Sequence, residues 1–392
     1  MEPGIGAHLL VGLVAALTTW ACVPLTERLA HRLGAVAQPD ERRVHQRATP
    51  TLGGLAMLAG VLAALLLAWV GGAFDEVFGN ERAVWSIAAA SVAIYAVGLI
   101  DDVMEISAPA KIAGLVLAGS LLTIGDVSLV FFRFPFLGVV VLTPDLSVLV
   151  TVLWVIVMAN AVNLVDGLDG LAAGIVGIAA AAFFVYTVQL ANAGLLQPDN
   201  PAPVLVVAVA GVCAGFLPHN FHPARTFMGD GGALLLGLTM AAATVSVGGQ
   251  TRDEFSGQTY FFFAPLVIPL VILGVPVLDT IFAVLRRARN RSGVATADKG
   301  HLHHRLMNLG HGQRRSVLIM WTWTTLLSGV ALYPTITGKG DGLVLFGLAA
   351  LALLLYTYLH PGVRRHRQRR DGDDRDPEDP DRNVGPNAVD AP

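Results

Sequence analysis

The chain has 392 residues, of which 54% are hydrophobic and only 14% are charged, and its mean hydropathy is +0.62. Soluble domains carry about 25% charged residues, so this composition excludes a soluble enzyme, a disordered chain and a small disulfide scaffold. The net charge of −3 argues against a nucleic-acid-binding protein, and no nucleic-acid partner is expected. The class that remains is a membrane protein that crosses the bilayer many times.

Long apolar stretches predict an all-α fold. A helix needs about 20 apolar residues to cross the hydrocarbon core. The β-branched and aromatic run from Val127 to Val141, which lies between two of these stretches (112–125 and 146–162), predicts a short hairpin. The sequence predicts about eleven transmembrane helices, near residues 6–26, 52–72, 83–100, 112–125, 146–162, 171–192, 203–219, 232–247, 260–283, 317–337 and 343–360.

The lysines and arginines predict how these helices are oriented. The segments between successive helices alternate between the two sides of the membrane, and one set of segments holds 22 of the 26 basic residues. Because cytoplasmic segments are rich in Lys and Arg, we expect the N-terminus outside and the C-terminus in the cytoplasm. Residues 1–362 then form a transmembrane domain with cytoplasmic active-site loops, and residues 363–392 form a disordered, charged cytoplasmic tail.

The conspicuous acidic clusters fall on the predicted cytoplasmic side. Asp101 and Asp102 lie at the inner end of the third helix and are followed by Lys111. Asp166 and Asp169 are three residues apart, so one helical turn would place both carboxylates on one face. An ordinary polar turn remains the alternative interpretation of this second cluster.

Two more clusters lie on the same side. Asp230 sits in a glycine-rich segment that leads into the eighth helix, where backbone N–H groups can hold an anion and the carboxylate a divalent cation. The longest cytoplasmic loop carries three histidines between Lys299 and Arg305. A zinc site would need cysteines or a regular ligand spacing, so the adjacent cations favour a surface for a phosphorylated substrate. The histidines are His301, His303 and His304, and His45 lies in another segment of this side.

Together the clusters indicate one kind of chemistry. Magnesium typically takes one or two carboxylates together with substrate phosphates, and nearby cations neutralise the remaining phosphate charge. We therefore expect a cytoplasm-facing phosphoryl-group enzyme that depends on Mg2+, with Mn2+ as the alternative metal, and that acts on a membrane-borne substrate.

The order of the motifs resembles the polyprenyl-phosphate glycosyl-1-phosphate transferases, of the glycosyltransferase 4 type, over roughly residues 36–316. The residues at 298–306 resemble the N-acetylglucosamine branch rather than the related muramoyl-pentapeptide branch. One difference is that residues 229–233 lack the threonine and serine of the usual Gly-Asp-Thr-Gly-Ser. The matching motifs are Asp101-Asp102, Asn163-x-x-Asp166-Gly-x-Asp169-Gly, Asn220-x-x-Pro223-Ala224 and Phe227-Met228-Gly229-Asp230.

The resemblance implies transfer of N-acetylglucosamine 1-phosphate from UDP-N-acetylglucosamine (UDP-GlcNAc) to undecaprenyl or decaprenyl phosphate, with release of UMP. Such a reaction starts cell-wall polysaccharide synthesis at the inner membrane of a bacterium, with the active site in the cytoplasm. The implied partners are the nucleotide sugar, the polyprenyl phosphate lipid and the membrane, and a homodimer is left open. Another UDP-sugar donor, such as UDP-MurNAc-pentapeptide, is an alternative. A transporter is a further alternative, which predicts acids near mid-span instead of at one boundary.

The resemblance also implies roles for individual residues. The catalytic residues would be Asp101, Asp102, Asp166 and Asp169. The metal ligands would be Asp230, Asp102 and Asp166. The substrate-binding residues would be Asn163, Asn220, Arg225, His301, His303 and His304, with Lys111 and His45 as weaker candidates.

Overall fold

The computed structural model describes residues 3–37, 48–79, 81–134, 138–248, 305–307 and 309–359, together with positions 274 and 281. These residues are almost entirely helical. In chain order the helices are α1 (Ile5–Leu33), α2 (Gly53–Val70), α3 (Asp75–Gly79), α4 (Glu81–Met104), α5 (Ala108–Ile124), α6 (Pro144–Val165), α7 (Leu171–Asn192), α8 (Ala202–Asn220), α9 (Gly229–Gly248), α10 (Gly312–Thr337) and α11 (Gly342–Leu359).

Within the described ranges, nine helices are long and apolar enough to cross a membrane, and α5 is a shorter apolar helix at the predicted fourth span. An all-helical, multi-pass membrane protein is thereby confirmed, with ten of the eleven predicted helices. The other predicted helix, near 260–283, lies outside the described residues apart from Gly274 and Ile281, as does the tail at 363–392. The five-residue α3 was not predicted, because so short a helix has no hydrophobic period to detect.

Several helices continue beyond the apolar stretch that predicts them. Helix α1 runs to Leu33 and ends at Gly34, whose φ of 73° lies in the left-handed region. Helix α4 continues through Asp101 and Asp102 to Met104. Hydropathy predicts only the apolar part of a helix. The helical backbone hydrogen bonds continue into the polar residues that follow, so the helix is longer than the prediction. Both aspartates therefore lie in the last turns of a helix and have a fixed direction.

Helices α8 and α9 form the centre of the bundle. In their most apolar windows, 78% of the residues of α8 and 94% of those of α9 are buried, against 6% in α11. Helices α1 and α7 pack on α8, helices α4 and α6 pack on α9, and α2 contacts both central helices. The polar residues that begin α9 consequently face other helices instead of lipid.

Glycines let three helices meet closely at one end of the bundle. A Cβ atom on Gly98 of α4 would lie 2.4 Å from the Cα of Gly231 in α9, and one on Gly54 of α2 would lie 2.4 Å from the backbone nitrogen of Gly232. Non-bonded carbon atoms are normally separated by about 3.5 to 4.0 Å. These glycines therefore permit α2 and α4 to contact the backbone of the first turn of α9.

Two short antiparallel hairpins complete the described fold. The first lies directly before α2, where the carbonyl of Pro50 accepts a hydrogen bond from the backbone N–H of Phe227 at 2.8 Å. The second confirms the hairpin predicted between Val127 and Val141. The strands are β1 (Val36–Ala37) with β2 (Thr49–Pro50), and β3 (Phe131–Phe134) with β4 (Gly138–Val141).

Candidate active site

Three helix ends bring the predicted polar residues together. Helix α4 carries Asp101 and Asp102 in its last turns, α6 carries Asn163 in its last turn, and α9 carries Asp230 in its first turn. Both α4 and α6 pack on α9, so residues that are 67 to 128 positions apart in the chain come within hydrogen-bonding distance. They all lie at one end of the bundle, as the alternation of the helices predicts.

Lys111, near the start of α5, links two of the acids. Its Nζ donates to Asp101 Oδ2 at 2.7 Å and also forms an ion pair with Asp230 Oδ2. The Asn163 amide completes the group: its nitrogen donates to Asp230 Oδ1 and its oxygen accepts from Lys111 Nζ, both at 3.2 Å, in the orientation that satisfies both neighbours. One lysine and one amide thus hold carboxylates from two helices in fixed positions.

Asp102 caps the start of α9. Its Oδ1 accepts from the backbone N–H of Asp230 at 2.9 Å, and its Oδ2 accepts from that of Gly231 at 3.3 Å. Carboxylates at helix N-termini satisfy free N–H groups and interact favourably with the helix dipole. The anion held by this glycine-rich segment is therefore a carboxylate of the protein itself.

The local sequence of the segment follows from this contact. Gly229 has a φ of +66°, and a Cβ there would lie 2.4 Å from Asp102 Oδ2. A Cβ on Gly231 would lie 2.9 Å from the ring of Tyr95 in α4. The Tyr95 ring therefore packs where a side chain at position 231 would begin, which accounts structurally for a glycine at a position where a threonine was expected.

Asp166 is the C-terminal cap residue of α6 and completes the acidic cluster. Its side chain is partly buried, and this burial, together with the neighbouring charges of Asp230, Asp102 and Asp169, raises the pKa of Asp166 to about 7. Among the described residues, the cluster of Asp101, Asp102, Asp166 and Asp230 has one lysine beside it, so negative charge is in excess there. An excess of carboxylate charge at one place is the electrostatic condition under which a cation binds.

The donor atoms suit a hard divalent cation. Magnesium prefers oxygen ligands and commonly takes only one or two carboxylates from the protein, with the remainder from water and substrate phosphates. Within the described part of the chain, no group of three or more His, Cys, Asp or Glu side chains is arranged to hold a metal ion. The predicted ligands Asp102, Asp166 and Asp230 are thus not arranged as a three-carboxylate site in the described structure, and their role as metal ligands stays a prediction.

Asn220, at the end of α8, is only 2% exposed. Its Oδ1 accepts from the backbone N–H of Gly170 at 3.0 Å, and its Nδ2 donates to the carbonyl of Thr226 at 2.9 Å. The amide therefore joins the loop after α6 to the loop before α9. This placement gives Asn220 a role in holding the site, and its predicted contact with substrate stays a prediction.

His222, which the sequence analysis did not single out, pairs with Asp169. Its Nδ1 lies 2.7 Å from Asp169 Oδ2, and the same oxygen accepts from the backbone N–H of Ala224 at 3.1 Å. The only signal in the sequence was its place between Asn220 and Pro223 of the third motif. A single histidine in a loop has no spacing that distinguishes it from a surface residue.

Of the other predicted residues, Arg225 lies among the described residues and the four histidines do not. Arg225 is exposed on the loop between α8 and α9. Arg305 begins the described end of the histidine loop, and Leu306 and Met307 pack against an apolar cluster that includes Val165 and Leu168. The described residues Leu306 and Met307 thus lie beside the turn that holds Asp166 and Asp169. The histidines at 301, 303 and 304, and His45, lie outside the described residues.

The chain is similar to known transferases over most of its length. Residues 84–248, which include most of α4 and all of α5 to α9, match the model of glycosyl transferase family 4. The chain is 38% identical to a decaprenyl-phosphate N-acetylglucosaminephosphotransferase of Mycolicibacterium smegmatis, over 91% of this chain and 89% of the relative. It is 34% identical to a probable undecaprenyl-phosphate N-acetylglucosaminyl 1-phosphate transferase of Bacillus subtilis, over 79% and 80%. It is 33% identical to a phospho-N-acetylmuramoyl-pentapeptide-transferase of Desulforudis audaxviator, over 81% and 95%.

Proposed function

Because the chain belongs to glycosyl transferase family 4, we propose that it transfers N-acetylglucosamine 1-phosphate from UDP-GlcNAc to a polyprenyl phosphate, with release of UMP. Decaprenyl phosphate is the acceptor that the names of the relatives at 38% to 39% identity support. The observation that carries the proposal is the Asp101–Lys111–Asp230 group at one end of a membrane bundle. Charged groups placed there can meet a lipid phosphate and a water-soluble nucleotide at the same time.

The reaction is a substitution at phosphorus. An oxygen of the lipid phosphate attacks the phosphorus that carries the sugar, a new P–O bond forms, and the bond from that phosphorus to the oxygen of UMP breaks. A phosphate monoester is ionised at neutral pH, so the protein needs chiefly to position the reactants and to offset their charge. A direct transfer of this kind needs no covalent intermediate on an aspartate.

The described residues supply that positioning. Lys111 offers a cation on the side of Asp101 and Asp230, where it can contact an incoming phosphate oxygen. Asp102 holds the first turn of α9 in place through two backbone hydrogen bonds, so Asp230 has a fixed direction. Asp101 is oriented by Lys111 and by the backbone N–H of Ile106 at 3.0 Å. Preorganisation of this kind removes the need to reorder charges during the reaction.

A magnesium ion held by one or two of Asp102, Asp166 and Asp230, together with substrate phosphates, would act as a Lewis acid on the phosphate oxygens and offset the charge of the carboxylates. Burial and, to a lesser extent, the neighbouring carboxylates raise the pKa of Asp166 to about 7. The negative charge of these neighbours supports a cation at this place.

We also place the site in the cytoplasm of a bacterial cell and the chain in the inner membrane. The proposal is supported by the distribution of Lys and Arg, which assigns this end of the bundle to the cytoplasm. Nucleotide sugars are made in the cytoplasm, so a donor could enter directly. The homodimer left open by the sequence stays a prediction.

The test is an assay of the purified full-length protein with Mg2+, decaprenyl phosphate and a panel of UDP-sugars, with UMP and the lipid-linked sugar as products. We expect UMP release with UDP-GlcNAc, and little with UDP-MurNAc-pentapeptide or UDP-glucose. Asp230→Asn should abolish turnover. The matched control is Asp145→Asn, because Asp145 is exposed in the first turn of α6 at the opposite end of the bundle.

The outcomes separate the parts of the proposal. If another UDP-sugar gives more UMP than UDP-GlcNAc does, the donor assignment is wrong and the transferase activity still stands. No UMP from any donor, with a folded protein, would overturn the transferase itself. Activity retained by Asp230→Asn would remove Asp230 from the catalytic machinery.

A further inference from the structure

Asp169 and His222 form a carboxylate–imidazole pair next to the acidic cluster. The Asp169 side chain is 2% exposed and the His222 side chain is 34% exposed, and the two are 2.7 Å apart. The buried carboxylate therefore lies behind the ring, and the ring extends towards the surface. Carboxylates placed behind histidines in this way commonly fix the orientation of the ring and its tautomer.

The contact with Asp169 determines which edge of the ring is available. Nδ1 faces Asp169 Oδ2, so Nδ1–H donates to the carboxylate. Among the residues that the structure describes, no second hydrogen bond to the imidazole is present. The free edge is thus the Nε2 edge, on the partly exposed side of the residue.

The backbone that carries His222 is also held in place. Arg314, at the start of α10, donates from an Nη atom to the carbonyl of His222 at 3.0 Å. Asn220 fixes the same loop two residues earlier through its bonds to Gly170 and Thr226. The His222 ring is thus oriented by a buried carboxylate, and two helices hold the loop that carries it. Such a side chain is preorganised for contact with a ligand.

The location of the pair indicates what that contact is. Asp169 lies close enough to Asp166 to interact with it electrostatically, and Asp166 in turn interacts with Asp102 and Asp230. His222 is therefore connected to the acidic cluster through Asp169, and the Arg314 guanidinium lies beside the carbonyl of His222. The acidic cluster would meet the reacting phosphates, so the His222 side is available to the part of the donor beyond them.

We propose that His222 is a donor-binding residue whose Nε2–H, fixed by Asp169 behind the ring, donates a hydrogen bond to a phosphate oxygen on the nucleotide side of the UDP-sugar. This inference rests on the proposed function. Because Nδ1–H donates to Asp169, only the doubly protonated ring also carries an Nε2–H. The contact therefore adds a cationic donor to a site whose other described side chains are mostly carboxylates. It assigns Asp169 the role of positioning residue for the imidazole.

Two substitutions separate this role from a purely structural one. The amide nitrogen of asparagine takes the place of Nδ1, and that of glutamine takes the place of Nε2. In His222→Asn the contact with Asp169 is kept and the proposed contact with the donor is lost, whereas His222→Gln does the reverse. His219→Asn is the matched control, because His219 is a histidine one turn earlier whose Nε2 is buried without a partner in the described structure.

The measurements are the KM for UDP-GlcNAc, the KM for decaprenyl phosphate and the binding of UMP to the full-length protein, with thermal unfolding as a check of folding. For His222→Asn we expect the KM for UDP-GlcNAc and the dissociation constant of UMP to rise about 10- to 100-fold, the range of one hydrogen bond to a charged group. The KM for decaprenyl phosphate should not change. His222→Gln should recover most of the loss, and His219→Asn should behave as the unmodified protein.

The opposite pattern would overturn the inference. If His222→Asn keeps the normal KM and UMP affinity while His222→Gln loses them, the ring only holds the loop through Asp169. Equal loss in both variants with a lowered unfolding temperature also assigns a structural role. If the unmodified protein neither binds UMP nor releases it, the proposed function fails, which is a different result from failure at His222.

Discussion

The close approach of α4 to α9 at Gly98 gives a prediction whose size can be worked out. A Cβ atom at this position would lie 2.4 Å from Gly231 Cα and 2.6 Å from the carbonyl carbon of Asp230. A normal separation of about 3.5 Å requires α9 to move by about 1 Å, because both neighbours are backbone atoms and cannot rotate away. The hydrogen bond from Asp230 N to Asp102, now 2.9 Å, would then be stretched or lost.

Overpacking costs about 1 to 3 kcal/mol, and loss of a hydrogen bond to a charged group costs about 1.5 to 3 kcal/mol. We therefore expect Gly98→Ala to lower the free energy of unfolding by about 2.5 to 6 kcal/mol. A displacement of Asp230 by 1 Å should reduce turnover about 100-fold.

The assay combines UMP release with thermal unfolding of the protein in detergent. The matched control is Gly347→Ala in α11, where no atom lies within 4 Å of a built Cβ and where alanine should stabilise the helix by up to about 1 kcal/mol. If Gly98→Ala matches the unmodified protein in both stability and turnover, the two backbones are not in contact and the reasoning is refuted.

Three further predictions concern the charges of the site. Lys111→Met should reduce UMP release by about 100-fold or more, because Asp101 and Asp230 lose the cation that they share. The control Lys339→Met, in the exposed turn before α11, should have no effect on UMP release. Equal activity of the two variants would contradict the role given to Lys111. Chelation with EDTA should abolish UMP release, and Mg2+ or Mn2+ should restore it; full activity in EDTA would exclude the metal. In metal-free protein, Asp166 binds its proton more tightly when folded, since its pKa of about 7 exceeds the ordinary value of about 3.9. The unfolding temperature should therefore fall as pH rises from about 4 to about 7, and Asp166→Asn should flatten this dependence; an unchanged slope would show that Asp166 is not responsible.

The helices and the end of the bundle that carries the site were predictable because both depend on local composition. Apolar stretches of about 20 residues and the uneven distribution of arginine are visible without any knowledge of packing. Asp101, Asp166 and Asp230 could be placed at one membrane boundary for the same reason, since each follows or precedes an apolar stretch.

The contacts within the site could not be predicted, because they depend on which helices are neighbours. Nothing near Lys111 in the chain indicates that it also pairs with Asp230, 119 residues away. The capping of α9 by Asp102 depends on Gly98 and Gly231, whose role appears only when α4 and α9 are packed together. His222 was missed because its partner, Asp169, is 53 residues away.

The pairing of Lys111 has a consequence for how the protein is made. Asp101 is only 10 residues from Lys111, whereas Asp230 is 119 residues further along the chain. At about 5 to 20 residues per second of synthesis, about 6 to 24 s pass between the synthesis of Lys111 and that of Asp230. During that interval Lys111 can pair with Asp101 in the newly inserted pair of helices, so that one of the two adjacent carboxylates at the end of α4 is neutralised before Asp230 is made. The same lysine that serves the finished site would thus ease membrane insertion of the unfinished chain.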